Sequence, residues 1–82
     1  MGSADSEEPT GILCNLGVLL ERRNMTLVEL SEKIGISVVN LSVLKNNRAR
    51  AIRFSTLLAI CEALDCRVGE LLETEKESQT HY

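Results

Sequence analysis

The sequence predicts an all-α fold, a compact unit of five short helices, and three observations carry that prediction. The chain has 82 residues, 44% of them apolar but only 2% aromatic, so leucine, isoleucine, valine and cysteine must supply nearly the whole core. A chain of this length buries only about 60 to 65% of its unfolded surface, and short helices that share aliphatic stripes close such a core economically. Apolar residues also recur at helical spacing in separate segments, each bounded by residues that start or stop helices.

Residues 1–11 are polar, hold the only proline (Pro9) and show no period, which predicts a flexible leader. The folded domain is expected over 12–73, with 74–82 a disordered polar tail. Leu16, Leu19 and Leu20 give the first helix its apolar stripe, and Asn24 stops it. Thr26 and Glu29 then form a capping-box pattern, with Leu27, Leu30 and Ile34 following at helical spacing until Gly35, so the second helix spans about 27–34. Ser37 is a good N-cap for a third helix, in which Leu41 and Leu44 face inward and Asn46-Asn47 end the run. Two short helices joined by a three-residue turn containing glycine are a helix-turn-helix unit. After a basic loop, Ser55 is expected to cap a fourth helix with Leu57, Leu58, Cys61 and Leu64 on its apolar face, and Phe54 to plug the core. A fifth helix, about 68–73, presents Val68, Leu71 and Leu72.

Composition excludes several classes. The apolar stretch without a charge from Gly11 to Leu20 is about half of the roughly 20 residues that a membrane span needs. Three cysteines, Cys14, Cys61 and Cys66, show no Cys-x-x-Cys spacing, which argues against a disulfide framework or a zinc site and for a reducing cytoplasm. The only histidine, His81, lies in the polar tail. There is no nucleophile with a base, no glycine-rich phosphate loop and no metal-ligand spacing, so neither an enzyme nor a cofactor is expected. The net charge is −3, yet no acidic residue lies between Glu32 and Glu62, where Lys33, Lys45, Arg48, Arg50 and Arg53 fall. Such a cluster can track phosphates on an acidic protein, because salt limits each charge's reach to about 8 Å.

The run from Met25 to Ser37, with Leu41 and Leu44, then Leu57 to Leu64 and Val68 to Leu72, resembles the Cro/C1-type (XRE-like) helix-turn-helix family of bacterial and phage transcription regulators. The resemblance covers the chain from Leu16 to Leu72. It implies a compact five-helix, lambda-repressor-like DNA-binding domain whose recognition helix, 37–46, lies in the major groove of double-stranded DNA. Carried over by position, Ser37, Val38, Val39, Asn40, Ser42 and Val43 would face bases. Asn40 is the best reader, since its amide can pair bidentately with adenine. Lys45, Asn46, Asn47, Arg48, Arg50 and Arg53 would meet phosphates, Arg53 alternatively the minor groove. Such a regulator would be bacterial or phage-encoded, cytoplasmic, and a homodimer, with Val68, Leu71 and Leu72 as candidate dimer contacts.

Two departures fall on the DNA side. Leu27 stands where the family often has glutamine, and the recognition helix offers valines but no arginine, lysine or glutamine before Lys45. Guanine readout by arginine from this helix is therefore absent. Either the target is rich in A and T and read partly by shape, or the valines bind a protein partner, as in an antitoxin or adaptor on the same fold.

Overall fold

A computed structural model of the protein describes residues 11–75. The expected leader and tail lie outside these residues except for Gly11, Thr74 and Glu75. Five helices follow one another: α1 (Leu16–Arg22), α2 (Leu27–Ile34), α3 (Val38–Lys45), α4 (Phe54–Leu64) and α5 (Val68–Leu71). Two strands, β1 (Ile12–Cys14) and β2 (Leu72–Thr74), flank the bundle and pair antiparallel, Ile12 with Thr74, Leu13 with Glu73 and Cys14 with Leu72. The ribbon is an addition to the expected all-helical fold. It cuts the fifth helix short at Leu71 and carries ordered structure through Thr74 rather than 73.

Local signals fix the helix-turn-helix. At the start of α2 the Thr26 hydroxyl accepts from the Glu29 amide at 3.1 Å while the Glu29 carboxylate accepts from the Thr26 amide at 2.8 Å. Two amides that a helix start leaves orphaned are thereby satisfied. Gly35 ends α2 at φ 74°, a left-handed conformation that costs an L side chain energy and glycine nothing. Ser37 caps α3, its hydroxyl accepting from the Asn40 amide at 3.1 Å.

Leucine dominates the core. Leu16, Leu19, Leu30, Leu41, Ile60, Leu64 and Leu71 have at most 1% of their surface exposed, and Leu20, Leu44 and Cys61 complete the cluster. Ile34 and Ile36, expected inside the motif, are half-buried and pack on the core's edge. Three expectations for the fourth helix fail. Ser55 is not its cap; the helix begins two residues earlier than that cap would imply, after Arg53, and has no side-chain cap. Phe54 does not plug the core but is 85% exposed. Leu58, placed on the apolar face, is 58% exposed, and Ile60 takes that place. The ten buried aliphatic and cysteine side chains fill the interior without an aromatic ring.

One tertiary contact escaped sequence reasoning. Arg23, just beyond α1, donates from Nε to the Leu64 carbonyl and from Nη2 to the Asp65 carbonyl at 2.9 Å. It thereby caps the C-terminus of α4, where unpaired carbonyls attract a cation.

Candidate nucleic-acid interface

The third helix is set by its buried side. Leu41 and Leu44 anchor it, α2 and α1 pack against it, and the remaining positions are thereby turned outward. Ser37, Val38, Val39, Asn40 and Val43 are all exposed, with Val39 the most open of the valines at 71%. Ser42 is half-buried, and its hydroxyl accepts from Asn46 Nδ2 at 3.3 Å. That bond ties Asn46 back to the helix and leaves one of its amide hydrogens for an outside acceptor.

Asn47 ties the loop after α3 to the ribbon, while Ala49 and Ile52 pack on the core. Asn47 takes φ 60°, a left-handed conformation that asparagine tolerates better than other non-glycine residues. Its Oδ1 accepts from the Cys14 amide of β1 at 2.7 Å, joining positions 33 apart in sequence. With the oxygen engaged, the amide nitrogen of Asn47 keeps both hydrogens for an anion. The Arg48 amide then donates to the Val43 carbonyl at 2.9 Å, folding the loop back over the end of α3.

This path gathers the two kinds of side chain that the sequence singled out. Asn40 and Val43 of α3 line one open cleft of about 540 Å³ together with Arg48, Arg50, Arg53 and Ile36. Thr56 of α4, which sequence reasoning missed, lines it too and adds a hydroxyl. Lys45 lies apart from that cleft. Its aliphatic stem crosses Gly17, where an added Cβ would sit 3.4 Å from Lys45 Cε, and it shares a second cleft with Val18, Glu21 and Thr26. Lys45 is thus next to the start of α2. All four cations are exposed.

The candidate dimer contacts divide. Leu71 is fully buried in its own chain and presents no docking surface; Leu72 is half-buried in the ribbon and lines an open cleft with Ile12, Cys14 and Ile52, and Val68 is 50% exposed. The cysteines are chemically quiet. Burial raises the Cys14 thiol, and burial together with the neighbouring Cys61 pushes Cys66 up to about 11, so both stay protonated at neutral pH. Among the described residues no group of His, Cys, Asp and Glu could hold a metal ion, and no helix is long and apolar enough to cross a membrane.

A short two-helix motif with one helix exposed along a valine and asparagine face, bordered by an arginine loop, defines the class of helix-turn-helix proteins. The family model of the Cro/C1-type HTH DNA-binding domain matches residues 15–77, and the chain belongs to this family. It is 49% identical over 71 residues to an uncharacterized HTH-type transcriptional regulator, YozG, of Bacillus subtilis (strain 168), covering 87% of this chain and 84% of that one. Among solved structures it is similar to the transcriptional regulator VanUg, at 35% identity and TM-score 0.63, over 76% of this chain and 81% of the other. The fold is shared with a candidate DNA-binding protein of Bacteroides fragilis, at 22% identity and TM-score 0.67, over 76% of this chain and 98% of that one.

Proposed function

We propose that this chain is a sequence-specific, repressor-like DNA-binding transcriptional regulator that acts by binding and not by catalysis. It works in a bacterial cytoplasm, in a bacterial or phage-encoded regulatory circuit. Family membership and the regulator relatives support DNA binding and transcriptional control. One observation carries the finer reading: Asn40 and Val43 of the exposed helix line the same cleft as Arg48, Arg50 and Arg53. A base-reading amide and methyl groups beside a row of guanidiniums match a duplex, in which base edges lie in the groove between phosphate strands.

In this reading α3 enters the major groove. Asn40 pairs with an adenine, and Val38, Val39 and Val43 contact thymine methyl groups. Ser37 and Ser42 offer hydroxyls to base edges or phosphates. Asn46, Asn47, Arg48 and Arg50 hold phosphates on one flank and Lys45 on the other, with Arg53 at a phosphate or in the minor groove. An α3 without arginine fits an A/T-rich site.

Selection of bound duplexes from a random pool at near-physiological salt tests this. The expected result is an enriched inverted repeat with half-sites about one helical turn apart, lost in an Arg48→Ala/Arg50→Ala variant. Asn40→Ala should relax preference at one base pair by about 1 to 3 kcal/mol, whereas the arginine changes weaken all sequences alike. A second reading is favoured by Val39, 71% exposed on the helix that would read bases. There the valines dock a protein partner, and the selection would enrich nothing while a pulldown finds that partner.

A further inference from the structure

The ribbon does not close fully against the loop that it steadies. Ile12, Cys14 and Leu72 of the ribbon and Leu44, Ala49 and Ile52 opposite them line a cleft of about 330 Å³. Residues paired across an antiparallel ribbon share a face, so Ile12 with Thr74 and Cys14 with Leu72 turn toward the loop while Leu13 and Glu73 turn away. Ile12 is 46% exposed even though it stands on that inward face. Across from it, Ala49 and Ala51 each give the wall only a methyl group.

We propose that this cleft binds a small amphipathic anion, an aliphatic chain ending in a carboxylate, and that binding takes Arg50 and Asn47 away from phosphate. The site stands without the DNA-binding reading above; only its effect on DNA rests on that reading.

Size and charge select the occupant. About 330 Å³ lies at the small end of the roughly 300 to 1,000 Å³ of small-molecule sites and leaves no room for a helix about 10 Å across. Two donors suited to an anion stand in the wall. One is the Arg50 guanidinium. The other is Asn47 Nδ2, whose direction is fixed because Oδ1 accepts from the Cys14 amide at 2.7 Å. Glu73 also borders the cleft, but through its backbone, since its side chain alternates to the other face of the ribbon. An apolar wall with a guanidinium and an amide donor at its edge therefore matches a carboxylate on an aliphatic chain better than a cation or a neutral alcohol.

The loop is the wall between two clefts. Arg50 lines this one and also the cleft that holds Asn40, Arg48 and Arg53. Arg50 and Asn47 are both assigned above to phosphates, so a carboxylate that engages them competes with DNA for the same donors. Linkage makes the effect mutual: bound duplex must weaken the anion by the factor by which the anion weakens the duplex.

The test titrates the full chain, without DNA, with octanoate, octanol and octylamine, and follows backbone amide NMR shifts. Octanoate should move resonances of the ribbon and the loop, with octanol about tenfold weaker and octylamine without effect. Arg50→Gln should bring octanoate down to the level of octanol. Thr74→Phe fills the cleft from β2, which carries no residue assigned to DNA, and should abolish octanoate binding; thermal melting no lower than the parent's shows that its fold is intact. On the duplex enriched in the selection above, saturating octanoate should weaken the parent chain about tenfold and Thr74→Phe not at all. Equal binding of the three probes, or octanoate binding that survives Thr74→Phe, would overturn the site. So would octanoate binding that fades as protein concentration rises, which gives the cleft to a second copy. Octanoate binding with no effect on the duplex would overturn the competition. A selection that enriches no duplex fails at the DNA-binding reading, and the titrations without DNA still decide the site.

Discussion

The helix-turn-helix and the loop that follows it make up the same face of the molecule but are held in different ways. From Thr26 to Leu44 the helix ends and the turn are fixed by near neighbours, a capping box, a left-handed glycine and a serine cap, and leucines then seat the unit in the common core. From Asn46 to Arg53 the chain has neither helix nor strand, and the side-chain bond that fixes it reaches to Cys14 at the other end of the domain. The first region places the groups proposed to read sequence and the second those proposed to grip phosphate. In the proposed reading, direction of readout would be set by a locally capped unit and strength of grip by a loop tethered through Asn47.

The largest effect should come from the core under the reading helix. Leu41→Ala removes a fully buried side chain and should cost about 2 to 5 kcal/mol in urea unfolding; a smaller loss would mean that α3 is held mainly by its caps. Asn47→Ala should cost about 1 to 2 kcal/mol, through the lost Cys14 bond and the left-handed backbone. It should also weaken binding to all DNA sequences equally. Asn47→Gly keeps the backbone conformation and loses only the bond, so its stability should fall between the two.

Thr26→Ala opens the capping box and should cost about 1 kcal/mol, a fall of roughly 4 to 8 °C in melting temperature for a domain of this size. The pattern of base preference should stay unchanged, since Leu30 still packs α2 into the core. Smallest is an alkaline effect far from both regions. Burial raises the Cys66 thiol from 9.0 to about 11 in the folded protein. The unfolded chain therefore gives up that proton first, and the contribution to stability, complete below pH 9, is lost as pH rises toward 11. Cys66→Ala should show a flatter decline in unfolding free energy between pH 9 and 11 than the parent chain.

What the sequence made legible follows the same division. Thr26, Glu29, Gly35 and Ser37 act on residues within three or four positions, so their roles could be read from order alone, and the second helix lies over 27–34 as expected. Ser55 resembled a cap because it precedes a leucine run, but the chain enters α4 two residues earlier and leaves the Phe54 side chain outside the core. The chain's one phenylalanine is expected in the core when core volume is scarce, and here aliphatic side chains already fill it. Strands of three residues are too short for an alternating pattern, and Leu72 continued the helical spacing of Val68 and Leu71, so the ribbon was hidden. The Asn47 tether was hidden for a related reason, since its partner is a backbone amide on that ribbon. The arginines that line the cleft were legible as a cluster, whereas the separation of Lys45 from them depends on the path of the loop.

The ribbon also governs how this domain yields to force. Its strands run antiparallel, so the start of β1 and the end of β2 lie at the same end of the pair, closed by the Glu75 amide donating to the Gly11 carbonyl at 2.8 Å. Pulling outward on residues 11 and 75 therefore loads these bonds one after another, as in opening a zipper, rather than all together in shear. The clasp gives way first, and the Asn15 bond to Leu71 lies next in line. Losing β1 also removes the partner of Asn47, so the arginine loop slackens before the leucine core is breached. Drawing residues 11 and 75 apart would therefore slacken the loop proposed to grip phosphates before it opened the core.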